Sequence, residues 1–356
     1  MTDVQQHFLE LVRLGIGHLN GHIPEHIDWQ SVETTANEQG LYEIVLDGVE
    51  NLPTTERPPK EKLLQWFGNV SQNEAKTAIQ WKNACELSFL FDKRGVRIYV
   101  LKGCVVAECY PKPSHRVSID MDCFLLSKFG QENVWEIGNR IIEEKGYKVE
   151  RDFYKNSTWI LPGVIIENHH YLTPFRGNKQ LITLENLLQR LFIEDGRRDT
   201  INGTGLYRPP VMVSAIFLIE HAYSHFLHEG LTWRMVLDWI MFSKKHKSEI
   251  NEAILDTYID EFGFRKFYDS YLRLGKYLIG NLSEEELTEV DNYMLADIWA
   301  PLDIHETVRG INGKLALAGN TWRARWKYRY FTDITWVKAL WIQVKGVIFE
   351  KNPKLN

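Results

Sequence analysis

Residues with strand-forming side chains are concentrated in one stretch of the chain, between Val96 and Thr173. Within that stretch, β-rich runs alternate with two short helical segments, an order typical of a single sheet packed against helices. The sequence before and after it has the apolar spacing of amphipathic helices. These features predict an α+β fold, with a small mixed sheet at its core and helical regions on either side of it in the chain.

The length of the chain predicts more than one packed unit, because 356 residues exceed the size of a typical domain. The composition, 44% hydrophobic and 25% charged, is that of a globular protein. We predict four regions: an N-terminal helical region (1–95), an α/β core (96–175), a helical domain (176–300) and a basic, aromatic C-terminal segment (301–356).

Helical periodicity predicts nine helices outside the core, and prolines between residues 53 and 59 divide those of the N-terminal region. The predicted helices before the core are Gln5–Leu19, Ser31–Leu46, Glu61–Phe67 and Asn73–Lys93. Those after it are Thr183–Phe192, Pro210–His228, Thr232–Lys245, Ile250–Phe262 and Lys266–Leu278.

Three features of the sequence indicate where the protein is located and which partners it binds: its cysteines, its N-terminus and its net charge. The four cysteines form no CxxC pair and are expected to be reduced core thiols. The N-terminus lacks the basic start and apolar run of a signal peptide, and no apolar stretch reaches the roughly 18 residues of a membrane span. We therefore expect a soluble, cytoplasmic protein. The net charge of −5 gives no basis for a nucleic-acid partner.

Two aspartates lie two residues apart in the predicted strand RVSIDMDCFLLS. Because side chains alternate between the faces of a strand, Ser118, Asp120 and Asp122 would share one face. Adjacent carboxylates need protons or cations to compensate their charge, and divalent ions are the usual compensation. Asp120 and Asp122 are therefore candidate metal ligands, and the alternative is a polar strand face in solvent.

A third carboxylate interrupts an apolar strand farther along the chain. Glu167 follows Val164–Ile166, and His169 would lie on the same face. A carboxylate in a buried strand needs a partner, and two-metal phosphoryl transfer uses carboxylates from neighbouring strands. Glu167 is a candidate third ligand, and the alternative is a purely structural pairing with a basic residue.

A lysine and a glycine, Lys102 and Gly103, end the strand before the acidic pair and open a short helix. At such a turn, backbone N–H groups and a lysine can hold phosphates. Arg116 adds a positive charge just upstream of the two aspartates. The turn is therefore a candidate phosphate-binding site.

The run LKGCVVAECYPKPSHRVSIDMDCFLL, from Leu101 to Leu126, resembles the signature of the DNA polymerase beta superfamily of nucleotidyltransferases. It is most similar to an uncharacterised bacterial branch with LKG, then tyrosine and proline, then arginine before DxDxxL. The downstream runs IIENHHYL and HAYSHFL…LTWRMVLDWI resemble the acidic-x-His strand and the helical region of that branch. The resemblance covers roughly Val96 to Ile240.

This resemblance implies transfer of a nucleoside monophosphate from an NTP, such as ATP, to a hydroxyl acceptor, with two Mg²⁺ ions, or Mn²⁺, as cofactors. It implies catalytic and metal-binding roles for Asp120, Asp122 and Glu167, and nucleotide-binding roles for Lys102, Gly103, Cys104, Arg116 and Ser118. Two positions depart from the common pattern, with Cys104 where many members have serine and Glu167 where many have aspartate.

The acceptor is not specified by the sequence. The branch is associated with surface-polysaccharide gene neighbourhoods, so a sugar or a lipid-linked glycan is one expectation, and proteins and small molecules stay open. The alternative function is a catalytically degenerate member that binds nucleotide or acts as a scaffold without turnover.

Two histidines, His221 and His225, lie one turn apart on a predicted helix, and the resemblance implies a place for them beside the substrate cleft. His169 is a third candidate for this cleft. A zinc hydrolase built on His221, His225 and Asp238 is a third hypothesis.

The C-terminal stretch from Asn320 to Asn356 has eight basic and two acidic residues, a net charge of +6, interleaved with tryptophans. It predicts either a packed helix pair with a solvated basic face, or peripheral contact with an anionic membrane or chain.

Overall fold

A computed structural model describes residues 1–18, 27–118, 120–130, 133–151, 154–174, 178–194, 199–201, 204–300 and 322–349. The chain divides into two compact units. The first comprises Met1–Tyr171 and Arg197–Pro209, and the second comprises Leu172–Gly196 and Pro210–Asn356. The predicted α+β class is confirmed, and the division of the sequence into four regions stays a prediction.

The first unit contains a six-stranded mixed sheet with the order β3-β4-β5-β2-β1-β6. Strands β2 and β5 pair in parallel, as do β1 and β6, and the other neighbours are antiparallel. The strands are β1 Val96–Val100, β2 Asp120–Ser127, β3 Lys148–Glu150, β4 Asn156–Leu161, β5 Val164–His169 and β6 Leu206–Tyr207. The sequence analysis missed β6, which has two residues and therefore no periodicity to detect.

One face of the sheet is covered by two helices, α4 (Lys60–Lys93) and α6 (Val134–Glu144), and the short helix α5 (Cys104–Ala107) follows β1. Alternate strand residues such as Cys123 and Ile166 are fully buried against Phe91 of α4 and Ile142 of α6. Because side chains alternate along a strand, the residues that lie between these apolar positions have their side chains on the opposite face of the sheet.

The remaining N-terminal helices are α1 (Asp3–Gly15), α2 (Trp29–Glu38) and α3 (Tyr42–Glu50). The predicted single helix Ser31–Leu46 is wrong, because Gly40 adopts a φ of +67° that ends α2. The N-cap of α2 is Asp28, whose side chain accepts the N–H groups of Gln30 and Ser31.

The predicted pair Glu61–Phe67 and Asn73–Lys93 is also wrong, because α4 runs through both without a break. Gly68 lies between them, and a lone helical glycine costs only about 1 kcal/mol relative to alanine. The neighbouring Trp66 and Val70 are buried, and their packing offsets that cost. The predicted end of this helix is confirmed at Gly95, whose φ is +75°.

The second unit is helical in the part of the chain that the structure describes. Its helices are α7 Lys179–Glu194, α8 Val211–His228, α9 Trp233–Lys245, α10 Glu252–Glu261, α11 Arg265–Leu278, α12 Glu289–Trp299, α13 Arg325–Phe331 and α14 Trp336–Phe349. Five of these correspond to predicted helices, with ends displaced by a few residues. No helix among the described residues combines the length and the apolar character needed to cross a membrane.

Replacing Gly48 by alanine tests the close packing of α1 on α3. A Cβ at Gly48 would lie 2.0 Å from the main-chain oxygen of Leu11. The helices would have to separate, and we expect the free energy of unfolding to fall by about 1–3 kcal/mol.

Gly68→Ala is the matched control, because a Cβ at this exposed position in α4 would have no atom within 4 Å. Alanine there should stabilise the helix by up to about 1 kcal/mol. Urea denaturation followed by circular dichroism measures both variants. Equal stability of Gly48→Ala and the wild type would contradict the packing described here.

Candidate active site

The two central strands carry the acidic residues on the face opposite the apolar core. In the parallel pairing of β2 with β5, Asp122 lies directly beside Glu167, and Asp120 beside Ile165. His169 is two residues beyond Glu167 and so lies on the same face. The predicted sharing of one face by Asp120, Asp122 and Glu167 agrees with this register.

The Asp122 carboxylate is the most enclosed group of the site, with 1% of the residue exposed. His169 Nε2 lies 2.8 Å from Asp122 Oδ1, and Lys102 Nζ lies 3.0 Å from Asp122 Oδ2. Each carboxylate oxygen therefore faces a nitrogen that can carry positive charge. This pairing accounts for the burial of an ionised group, which is otherwise costly.

The carboxylate of Glu167 is more accessible, with about a third of its side chain exposed. Asn156, on β4, donates an amide hydrogen to Glu167 Oε2 at 2.9 Å, and His169 Nε2 lies 3.7 Å from the same oxygen. These contacts hold the Glu167 carboxylate in place and leave part of its side chain open to solvent.

A group of three side chains has the spacing of metal ligands. One ligand atom each from Asp122, Glu167 and His169 lies within 4.8 Å of the others. Among the described residues, this is the combination of histidine, cysteine and carboxylate groups that meets this spacing. Asp120 is not part of it, so a role for Asp120 as a ligand stays a prediction.

The charges of the site shift the pKa of two of its groups. Burial alone would lower the pKa of Lys102, but the carboxylates of Asp122 and Asp120 outweigh burial and raise it. Burial raises the pKa of Glu167, and the charge of Asp122 raises it further. Lys102 therefore stays charged, and Glu167 binds a proton more readily than an ordinary glutamate.

Gly103 follows β1 and has a φ of +72°. A Cβ there would lie 3.6 Å from Ser118 Oγ and 3.9 Å from the main-chain oxygen of Asp120. The backbone conformation, more than lack of space, favours glycine at this turn. The turn therefore runs beside the first residue of β2, and the predicted strand-to-helix turn is present, since α5 begins at Cys104.

The predicted strand that began at Arg116 is too long, because β2 begins at Asp120. Ser118 is therefore not placed by strand alternation. Its hydroxyl donates to the main-chain oxygen of Asp120 at 2.7 Å, which keeps it next to Gly103. Burial raises the pKa of Cys104 to about 12, with a further contribution from Glu108, so this thiol stays protonated.

Arg116 is 6% exposed and follows a short 3₁₀ turn that is anchored to the N-terminal helices. His115 Nδ1 lies 2.7 Å from Asp47 Oδ2, and His115 Nε2 lies 3.2 Å from Glu74 Oε1. Sequence reasoning missed this anchor, since Asp47 and Glu74 lie on helices far away in the chain. It fixes the chain just before the acidic strand.

Asn156 is a second residue that sequence reasoning missed. It is the first residue of β4, which pairs with β5 through the tight Pro162–Gly163 turn. Counting back from that turn places Asn156 opposite His169 and close to Glu167. The hairpin was therefore the available signal.

His221 and His225 lie on α8 in the second unit, where the His221 ring stacks on Phe217 and His225 Nδ1 lies 2.8 Å from Glu229 Oε2. Their place beside a substrate cleft stays a prediction. Within the described parts of the chain, these histidines and Asp238 do not form a group with metal-ligand spacing, so the zinc hypothesis gains no support.

A model of the family described as "Uncharacterised nucleotidyltransferase" matches residues 25–280 of the chain. The match includes the whole sheet and helices α2 to α11. No curated protein and no solved structure matches the chain.

Lys102→Met tests the electrostatic balance around Asp122. Removing the ammonium leaves the buried carboxylate with less compensation, so in EDTA we expect the free energy of unfolding to fall by up to about 3 kcal/mol. A divalent ion should restore part of this loss, because an ion that binds only the folded state stabilises it.

The exposed Lys145 provides the control, and Lys145→Met should leave the melting temperature unchanged in EDTA. Thermal unfolding of the two variants with EDTA and with Mn²⁺ measures the effect. A Lys102→Met protein as stable as the wild type in EDTA would show that the lysine does not compensate Asp122.

Proposed function

Because the chain belongs to the family of uncharacterised nucleotidyltransferases, we propose that it transfers a nucleoside monophosphate from an NTP to a hydroxyl acceptor and releases pyrophosphate. The observation that carries this proposal is the register of β2 with β5, which puts Asp122 beside Glu167 with Lys102 and His169 in contact. We also propose that the family belongs with the DNA polymerase beta superfamily, on the strength of the LKG and DxDxxL runs.

The donor set fits a divalent cation, since two carboxylates and an imidazole converge within one ion's reach. We propose Asp122, Glu167 and Asp120 as the residues that hold Mg²⁺ or Mn²⁺, with two ions in the working site. Ions bound there would neutralise the negative charge that develops on the phosphate group during transfer.

The residues around the carboxylates have separate proposed tasks. Gly103 brings the backbone of its turn close to Ser118 and Asp120, and its lack of a Cβ lets phosphate oxygens approach. Lys102, Cys104, Arg116 and Ser118 complete the phosphate-binding surface, with Lys102 and Arg116 as its charged groups.

Glu167 is the proposed base. Its side chain is partly exposed and accessible to an acceptor, whereas Asp122 is enclosed. In this proposal a Glu167 carboxylate oxygen accepts the proton of the acceptor hydroxyl as that oxygen attacks the α-phosphorus.

We propose a sugar or lipid-linked glycan as acceptor, in cytoplasmic steps of surface-polysaccharide metabolism, with His221 and His225 facing the acceptor. A nucleotide-binding protein without turnover is the alternative. The presence of all three carboxylates, Asp120, Asp122 and Glu167, favours the enzyme over that alternative.

The C-terminal helix α14 adds a feature that fits a membrane-associated acceptor. Val337, Trp341 and Val344 are 66%, 64% and 40% exposed, and their spacing places them on one helix face. Lys338 and Lys345 beside them are also exposed. An apolar stripe next to lysines suits the surface of an anionic membrane, and we propose peripheral contact there.

Asp122→Asn tests the proposed chemistry with little change in side-chain volume. We measure the rate of pyrophosphate release from each of the four NTPs with Mg²⁺ or Mn²⁺. We expect this rate to fall by about a hundredfold or more, because the active site loses a charged metal ligand. Asp120→Asn should have a comparable effect.

Glu86→Gln, at an exposed position on α4, is the matched control and should retain wild-type release. Circular dichroism confirms folding of each variant. A folded Asp122→Asn protein that releases pyrophosphate at the wild-type rate would exclude this site.

Trp341→Ala tests the proposed membrane contact. Cosedimentation of the full chain with phosphatidylserine-containing vesicles should exceed that with phosphatidylcholine alone, and the variant should bind several-fold more weakly. Ile254→Ala, at an apolar position of α10 that is 43% exposed, is the control. Equal binding by Trp341→Ala and the wild type would rule out α14 as the contact.

A further inference from the structure

The imidazole of His169 is held at both of its nitrogens. Nε2 lies 2.8 Å from Asp122 Oδ1, and Nδ1 lies 3.3 Å from the main-chain oxygen of Tyr171. The residue is 3% exposed, so the ring has little freedom to turn. Its orientation is set by the protein before any ligand arrives.

The carbonyl that faces Nδ1 is itself fixed. The N–H groups of His170 and Tyr171 both donate to the main-chain oxygen of Lys155, at 2.7 and 3.1 Å, which holds the chain just after β5. The Tyr171 oxygen can therefore accept a hydrogen bond from Nδ1–H at a defined position. Without an ion, the 2.8 Å contact with Asp122 Oδ1 requires a proton on Nε2. When an ion takes the place of that proton, Nδ1–H donates to the Tyr171 oxygen and the lone pair of Nε2 is available to the ion beside Asp122 and Glu167.

This arrangement is the one that metal-binding histidines adopt, with one nitrogen as the ligand and the other donating to a backbone carbonyl. Nε2 belongs to the group whose ligand atoms lie within 4.8 Å of one another, together with Asp122 and Glu167. Nε2 also lies 3.7 Å from Glu167 Oε2, so both carboxylates are within reach of an ion bound at this nitrogen.

We propose that His169 Nε2 is a metal ligand, and that this nitrogen makes the site select Mn²⁺ over Mg²⁺. The inference rests on the proposed function and specifies its cation. Mg²⁺ is a hard ion that prefers oxygen ligands, whereas imidazole nitrogen is a good ligand for first-row transition ions. His169 is thus a specificity-determining residue, and the two carboxylates alone would not discriminate in this way.

Pulsed electron paramagnetic resonance tests the nitrogen ligand directly in the wild-type protein. One equivalent of Mn²⁺ is added to the nucleotide-free full chain, prepared once with ordinary histidine and once with ¹⁵N-labelled histidine. We expect a modulation from a directly bound imidazole nitrogen, which changes between the two preparations. A bound Mn²⁺ without histidine coupling would overturn the proposal while leaving the metal site in place.

Binding titrations supply the second test, with Mn²⁺ measured by loss of its free-ion signal and Mg²⁺ by competition. In the wild type we expect Mn²⁺ to bind about tenfold or more tightly than Mg²⁺. His169→Gln should weaken Mn²⁺ binding at least tenfold and Mg²⁺ binding much less. His170→Gln is the control, since His170 stacks on Trp135 and Tyr171 and should retain the wild-type selectivity.

The outcomes separate the two proposals. If His169→Gln weakens both ions equally, His169 only positions Asp122, and the selectivity proposal is wrong although the function can stand. If wild-type protein binds neither ion, with or without a non-hydrolysable NTP, both the selectivity and the metal-dependent transfer are wrong. If Mn²⁺ binds to Asp122→Asn as tightly as to wild type, the ion lies elsewhere and the proposal also fails.

Discussion

The parallel pairing of β2 with β5 is the constraint on which the site depends. It places Asp122 directly beside Glu167, and a shift by one residue would turn one of the two carboxylates into the apolar core. That shift is prevented by the opposite face, where Cys123 and Ile166 are fully buried. The hydrophobic layer under α4 and α6 therefore fixes the position of the charged groups above it.

Placing these carboxylates together requires compensation, which three neighbours provide from different elements. Lys102 comes from the turn after β1, Asn156 from the start of β4, and His169 from the end of β5. The result is one enclosed carboxylate, Asp122, and one accessible carboxylate, Glu167. In the proposed reaction, the enclosed Asp122 binds metal, and the accessible Glu167 can reach an acceptor that enters from solvent.

Much of this arrangement was predictable from strand alternation. The face shared by Asp120, Asp122 and Glu167 follows from a period of two, and the helical ends at Gly95 and in α8 to α11 follow from helical spacing. The first residues of β2 and β4 could not be predicted from strand alternation. Ser118 and Asn156, near these strand starts, have polar side chains that no apolar pattern marks. The break at Gly40 depends on one backbone angle, and the anchor of His115 on Asp47 joins residues 68 apart. Such contacts arise only once the elements are packed.

The central claim is that divalent cations and the NTP bind together at Asp122 and Glu167. Crystals grown with Mn²⁺ and a non-hydrolysable NTP test it most directly, because anomalous scattering locates the metal without assumptions about the ligands. The account predicts an anomalous peak in contact with the Asp122 and Glu167 carboxylates and with the α-phosphate. An anomalous peak elsewhere, with the triphosphate away from Gly103, would contradict it.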